Sequence, residues 1–219
     1  MIAEGEALAN PAALVFGHIL EGRLDALFRP GDRVLDLDGT ASGAASRLAA
    51  RGVRVAALDR RETLASNGEP FDGACATSGS LDGADLAGLA PSLAAALRPG
   101  AAVILTLLGP WPLPALVRRT LTGAGERRRG HEPLLRRVPR PPAYPTLGEV
   151  RRALGPSFQW TDAYALGVLL PDAAQEAWVR DHPQGFAALA MMERVVRRWP
   201  GVRQLGDRLV LEGRRAGPP

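Results

Sequence analysis

A chain of 219 residues with 46% apolar side chains is long enough to bury a full core, which excludes a disordered protein. The formal charge is +4 and all 27 basic residues are Arg, so no Schiff base, P-loop lysine or lysine general base can exist here. The lone Cys75 excludes an intramolecular disulfide and a thiolate zinc cluster.

"PAALVFGHILEGRLDALF" (11–28) sets Leu14, Ile19, Leu20, Leu24, Leu27 and Phe28 at helical intervals, with Pro11 suited to a first turn. "RPGD" (29–32) is a turn and "RVLDL" (33–37) a buried strand. "GAASRLAARG" (43–52) reads as a helix closed by Gly52, and "VRVAALD" (53–59) as a second strand. This β-turn-α-β unit opens a parallel, doubly wound sheet. "FDGACATSG" (71–79) is a third extended stretch, "DLAGLAPSLAAALRPG" (85–100) a helix closed by a Pro-Gly turn, and "AAVILTLL" (101–108) a buried strand. Residues 109–145 are irregular and rich in Pro and Arg, and three prolines after Leu108 argue against a spanning helix. Thr146 and Glu149 form a capping box that restarts a helix over 146–154. "FQWTDAYALG" (158–167) and "DRLVLEGRR" (207–215) are late strands, separated by the helix "FAALAMMERVVRRW" (186–199). Glu4 and Glu6 occupy a start with no basic n-region, so no secretory signal and a soluble cytoplasmic protein are expected.

Residues 33–43, "RVLDLDGTASG", admit two readings. Asp36, Asp38 and Thr40 resemble the Asp-x-Asp-x-Thr motif of haloacid dehalogenase-type phosphatases, which implies a nucleophile at Asp36, an acid/base at Asp38 and a magnesium ion. That chemistry also needs a later cation on the phosphoryl group, usually Lys, and a later acidic pair. The chain has no Lys and offers only Asp207 in "LGDRLVL", so this stays a minor alternative.

The wider context, "LFRPGDRVLDL", "LAARGVRVAALD", "FDGACATSGSL" and "LAPSLAAALRPGAAVILTLLG", resembles the class I S-adenosylmethionine-dependent methyltransferases between Pro11 and Arg215. The resemblance implies an α/β, Rossmann-like, doubly wound methyltransferase sheet. It would have six strands, ordered 2-1-4-5-7-6 in the family's count, with the last strand antiparallel. One domain, 1–219, would carry the Arg/Pro-rich stretch 109–145 as a lid or flap. S-adenosylmethionine is the implied cofactor, held by Asp36, Asp38, Gly39, Thr40, Asp59, Arg60 and Thr77, with Asp59 on the ribose hydroxyls and no metal. Methyl transfer to a small molecule is the implied activity.

The chain departs from the family in two places. The family's Asp-x-Gly-x-Gly-x-Gly loop here has Asp38, Thr40 and Ser42 at the glycine positions, and a Cβ there stands between backbone and ligand. Only eleven residues, "RRETLASNGEP", separate Asp59 from Phe71, too few for the helix and third strand the family places there. Strand 2 is therefore expected at an edge, covered by that short segment or by a partner protein. These departures keep a second hypothesis open: a catalytically inactive relative that serves as a binding or scaffold protein.

His18 is the weak catalytic candidate, since the N-terminal helix often covers the active site in that family; His131 and His182 fit surface positions better. Residues 118–140 hold eight Arg against Glu126 and Glu132, without the interleaved aromatics of a nucleic-acid site, so a solvated flap is expected and nucleic acid is not.

Overall fold

The computed structural model describes residues 11–39, 43–57, 69–113, 144–171 and 175–217. Helix α1 (Pro11–Leu27) buries Ala12, Ile19, Leu20 and Leu24 on one face, and Phe28 plugs the core just beyond its end. The chain then reverses through Pro30 and Gly31, where φ is 89° and Asp32 accepts the Arg29 N–H at 2.7 Å. Strand β1 (Arg33–Asp36) leads to α2 (Gly43–Ala50) and β2 (Arg54–Ala57), the expected β-turn-α-β unit.

Strand β1 lies between β2 and β3 (Phe71–Ala76), parallel to both. Strand β3 also pairs in parallel with β4 (Leu97–Leu108). The last strand, β6 (Arg208–Arg215), runs antiparallel to β4 and to β5 (Phe158–Leu166). The order β2-β1-β3-β4-β6-β5 is the six-stranded, doubly wound, Rossmann-like sheet expected from the sequence, with the last strand antiparallel. Among the described residues β2 is an edge, and the segment expected to cover it lies largely outside them.

Alternation along the strands builds two cores. Leu35, Ala74, Val103 and Leu211 face α3 (Leu86–Ala96) and α4 (Leu147–Leu154). Val34, Cys75, Ile104 and Val210 face α1 and α2. Two adjacent residues of one strand thus serve opposite layers, as period-2 side-chain geometry requires. Arg47 of α2 donates to Asp25 and Glu21 of α1, and Arg51 also donates to Asp25, which joins the two helices on their outer side.

Two boundaries differ from the expectation. Helix α3 stops at Ala96, and β4 already begins at Leu97, which pairs with Phe71 before the register shifts. The Pro-Gly pair is therefore an irregularity within the strand's start, with Gly100 at φ 79°, and not a free turn. Helix α6 (Pro183–Val196) begins at Pro183, whose missing N–H costs nothing in a first turn, and a short α5 (Glu176–Asp181) precedes it. No helix among the described residues is long and apolar enough to cross a membrane.

Candidate functional site

The chain leaves β1 outward to β2, then returns to the other side of β1 to form β3. This reversal opens a crevice at the carboxyl ends of β1 and β3, the usual ligand position in doubly wound sheets. Asp36 ends β1 and is fully buried, directly across from Cys75 of β3. Its Oδ1 accepts the Asp38 N–H at 2.9 Å and so closes the turn after the strand. Gly39 follows at φ 88°, a conformation that a β-branched residue resists.

Asp38 stitches this turn to the loop after β3. Its Oδ2 accepts the N–H of Thr77 at 2.5 Å, the N–H of Ser78 at 2.9 Å and the Thr77 hydroxyl at 3.2 Å. Its Oδ1 accepts the Ser80 N–H at 3.3 Å. Asp38, which stands where the related loop has glycine, thus consumes the donors of the facing loop. The crevice is acidic: burial chiefly, and then the charges of Asp36 and Asp38, push the Cys75 thiol well above its ordinary range.

The same loop is anchored at its far end. Asp82 accepts the Leu108 N–H at 2.8 Å and pairs with Arg208 at 2.7 Å, tying the loop to the end of β4 and the start of β6. Gly79 allows this approach, because a Cβ there would sit 2.6 Å from an Asp82 oxygen. From Leu81 onward the loop lines an apolar hollow of about 450 Å³ with Leu107, Pro145 and Ala153.

The structure brings together Asp36, Asp38, Gly39 and Thr77 of the expected cofactor residues. Thr40, Asp59, Arg60, His131 and most of the 109–145 stretch lie outside the described residues. His18 is exposed on α1, next to the buried Ile19 and Leu20. His182 is exposed too, its ring stacked on Trp178 at a centroid distance of 5.1 Å. The phosphatase reading needs Asp36 open to a phosphoryl group, whereas its carboxylate is buried and spent on the turn.

Three buried or half-buried carboxylates escaped the sequence reading: Asp82, Glu193 and Glu212. Glu193 accepts the N–H groups of Gly167, Val168 and Leu169 at 2.7–3.2 Å, capping the turn after β5. Glu212 accepts hydrogen bonds from Nε and one terminal nitrogen of Arg23, at 2.8 and 2.5 Å, and from the Tyr164 hydroxyl at 2.8 Å. Only the burial of Glu212 within an otherwise apolar strand, "RLVLEG", hinted at such a role.

No protein-family model matches the chain. No curated protein matches it either. Solved structures resemble it at low identity. A methyltransferase from Geobacter sulfurreducens, in complex with S-adenosyl-L-homocysteine, is 15% identical with a TM-score of 0.45, covering 93% of this chain and 90% of that one. The cyclopropane synthase of Mycobacterium tuberculosis is 15% identical with a TM-score of 0.49, covering 91% and 83%. The cyclase SpnF is 16% identical with a TM-score of 0.48, covering 91% and 82%. Likenesses this distant assign no chemistry to this chain, whose fold assignment rests on the strand order itself.

Proposed function

We propose that the chain binds S-adenosylmethionine across the carboxyl ends of β1 and β3 and is a methyltransferase acting on a small molecule. The paired carboxylates carry this reading: Asp36 and Asp38 stand two residues apart at the carboxyl end of β1, joined by the Asp38 N–H at 2.9 Å, and such a concentration of negative charge favours a cation. S-adenosylmethionine offers two, a sulfonium and an ammonium. The N–H groups of Thr77, Ser78 and Ser80 are already bonded to Asp38, so this loop does not suit a phosphate-bearing dinucleotide. Asp36 and Asp38, both engaged with the backbone, would act on the cationic end through their field and not by contact, and Asp59 is the sequence's choice for the ribose. When bound, the cofactor supplies a methyl group on an activated sulfur. The chain's share is orientation and exclusion of water, and the apolar hollow beyond Ser80 suits a small acceptor.

Calorimetry with S-adenosylmethionine and S-adenosylhomocysteine tests this. Both should bind, and Asp36→Asn should weaken the sulfonium form more than the neutral thioether, by ~1–3 kcal/mol for the Coulombic attraction of one charge several ångströms away. An equal loss for both ligands would remove the electrostatic argument, and no binding of either would end the cofactor assignment.

A second reading, a scaffold of the same fold, is favoured by one observation: Asp38 fills with its own carboxylate the donors that a ligand would use. It predicts no cofactor heat at all. It also predicts a partner on the β2 edge, displaced by proline at Val55 and not at Arg54, whose N–H already donates to the Asp32 carbonyl within the sheet.

A further inference from the structure

We propose that a crevice at the amino ends of the parallel strands binds a small phosphate-bearing anion. It lies at the opposite end of the sheet from the crevice between β1 and β3, so it is separate from the proposed cofactor site. Its volume is about 240 Å³, and Arg29, Asp32, Asp72, Arg98 and Arg214 line it, with Leu27 at the end of α1. Only the closed sheet assembles these groups. Arg29 and Asp32 flank the turn before β1, Asp72 belongs to β3, Arg98 to β4, and Arg214 lies near the end of antiparallel β6.

The lining sets three arginines against two carboxylates, an excess of one positive charge. Hydrogen bonding sharpens that excess. Asp72 is engaged through both oxygens: Oδ1 pairs with Arg98 Nε at 2.8 Å, and Oδ2 accepts the Arg33 N–H at 2.7 Å. Asp32 accepts the Arg29 N–H through Oδ2 at 2.7 Å. The donors, by contrast, stay open. Among the described residues the Arg29 guanidinium has no hydrogen bond or ion pair, and neither have the terminal nitrogens of Arg98. Arg214 uses only Nη1, on the Gly100 carbonyl at 3.0 Å. Two features oppose an anion: the remaining Asp32 oxygen, and the carbonyl end of α1. A helix terminus carries about half an elementary charge, less than the arginine excess. Guanidinium forks match phosphate bidentately, and phosphate has oxygens enough for arginines that arrive from three elements. Size then limits the ligand. Sites for drug-sized molecules run to roughly 300–1,000 Å³, so this smaller crevice suits inorganic phosphate or a phosphomonoester on a short body, and not a nucleotide.

The test is calorimetry on the full chain with inorganic phosphate, glycerol phosphate and acetate at one ionic strength. Phosphate should bind about ten-fold tighter than acetate. Glycerol phosphate binding more tightly still would mark a monoester as the ligand, and weaker binding would mark the free ion; both support the site. Arg29→Gln and Arg214→Gln should each weaken phosphate about ten-fold, and a thermal melt checks that these exposed substitutions leave the fold intact. Asp32→Asn keeps an acceptor for the Arg29 N–H but removes the opposing charge, so it should tighten phosphate about three-fold. Arg194→Gln on α6 removes the same charge from a distant exposed position and should change nothing. Three results would overturn the proposal. Arg29→Gln could bind phosphate like the parent. Arg194→Gln could lose as much as Arg29→Gln, which would mean diffuse attraction to a basic chain and an adventitious ion only. Acetate could match phosphate, which would leave no phosphate site.

Discussion

Asp38 shows how a single side chain can decide the structure of a loop 39 residues away. A glycine there would leave three backbone N–H groups of the facing loop without their acceptor; the carboxylate supplies it and stiffens the junction of β1 and β3. Asp38→Ala should therefore destabilise the fold by about 1–3 kcal/mol, the cost of orphaned donors, with water recovering part of it at this half-buried site. Urea unfolding measures the loss. Amide exchange localises it, since Thr77, Ser78 and Ser80 should exchange faster in the variant. Unchanged exchange would mean that the loop holds itself. The tie was invisible in "DLDGT", because Thr77 lies 39 residues further along the chain.

Local elements were legible where their signals are local. The α4 cap is one: Thr146 accepts the Glu149 N–H at 3.3 Å, and Glu149 accepts the Thr146 N–H at 2.7 Å, the reciprocal pair read from the sequence. Thr146→Ala should cost about 1 kcal/mol, seen as a lowered melting temperature with faster amide exchange in the first turn of α4. A larger loss would place Thr146 in contacts beyond the cap. The junction of α3 and β4 was read less well. Ala-rich "LAAALRPG" satisfies helix propensity up to Pro99, but Leu97 gains a strand partner in Phe71, and pairing overrides propensity.

Across the whole molecule, the Arg23–Glu212–Tyr164 cluster joins α1 to β6 and β5, with Arg23 and Glu212 189 positions apart in the chain. Burial first, and then the nearby Glu212 charge, raise the Tyr164 phenol far above its ordinary value of 10.0. The folded state therefore keeps this proton while the unfolded chain loses it. Stability from this group is complete below about pH 10 and falls as pH rises beyond it, because ionisation favours the unfolded state. Tyr164→Phe should flatten the alkaline limb of a stability–pH curve measured by urea unfolding. An unaltered limb would assign alkaline unfolding to other groups.

The sequence by itself determined the strands and helices, while their order in the sheet came from the family resemblance. The 2-residue alternation of Val34 with Leu35 and of Ala74 with Cys75, the helical spacing of α1 and the short stretch after Asp59 are local or additive signals, so each could be read without the others. Tertiary structure alone decided what the carboxylates do. Asp38, Asp82 and Glu212 look alike in the chain, yet one grips a loop, one joins two strand ends and one neutralises a helix arginine. A carboxylate's partner is whichever donor the closing sheet brings within about 3 Å, and for these three the partners lie 26 to 189 residues away. Periodicity can place such a side chain on a face, but only the assembled layers can say which nitrogen meets it.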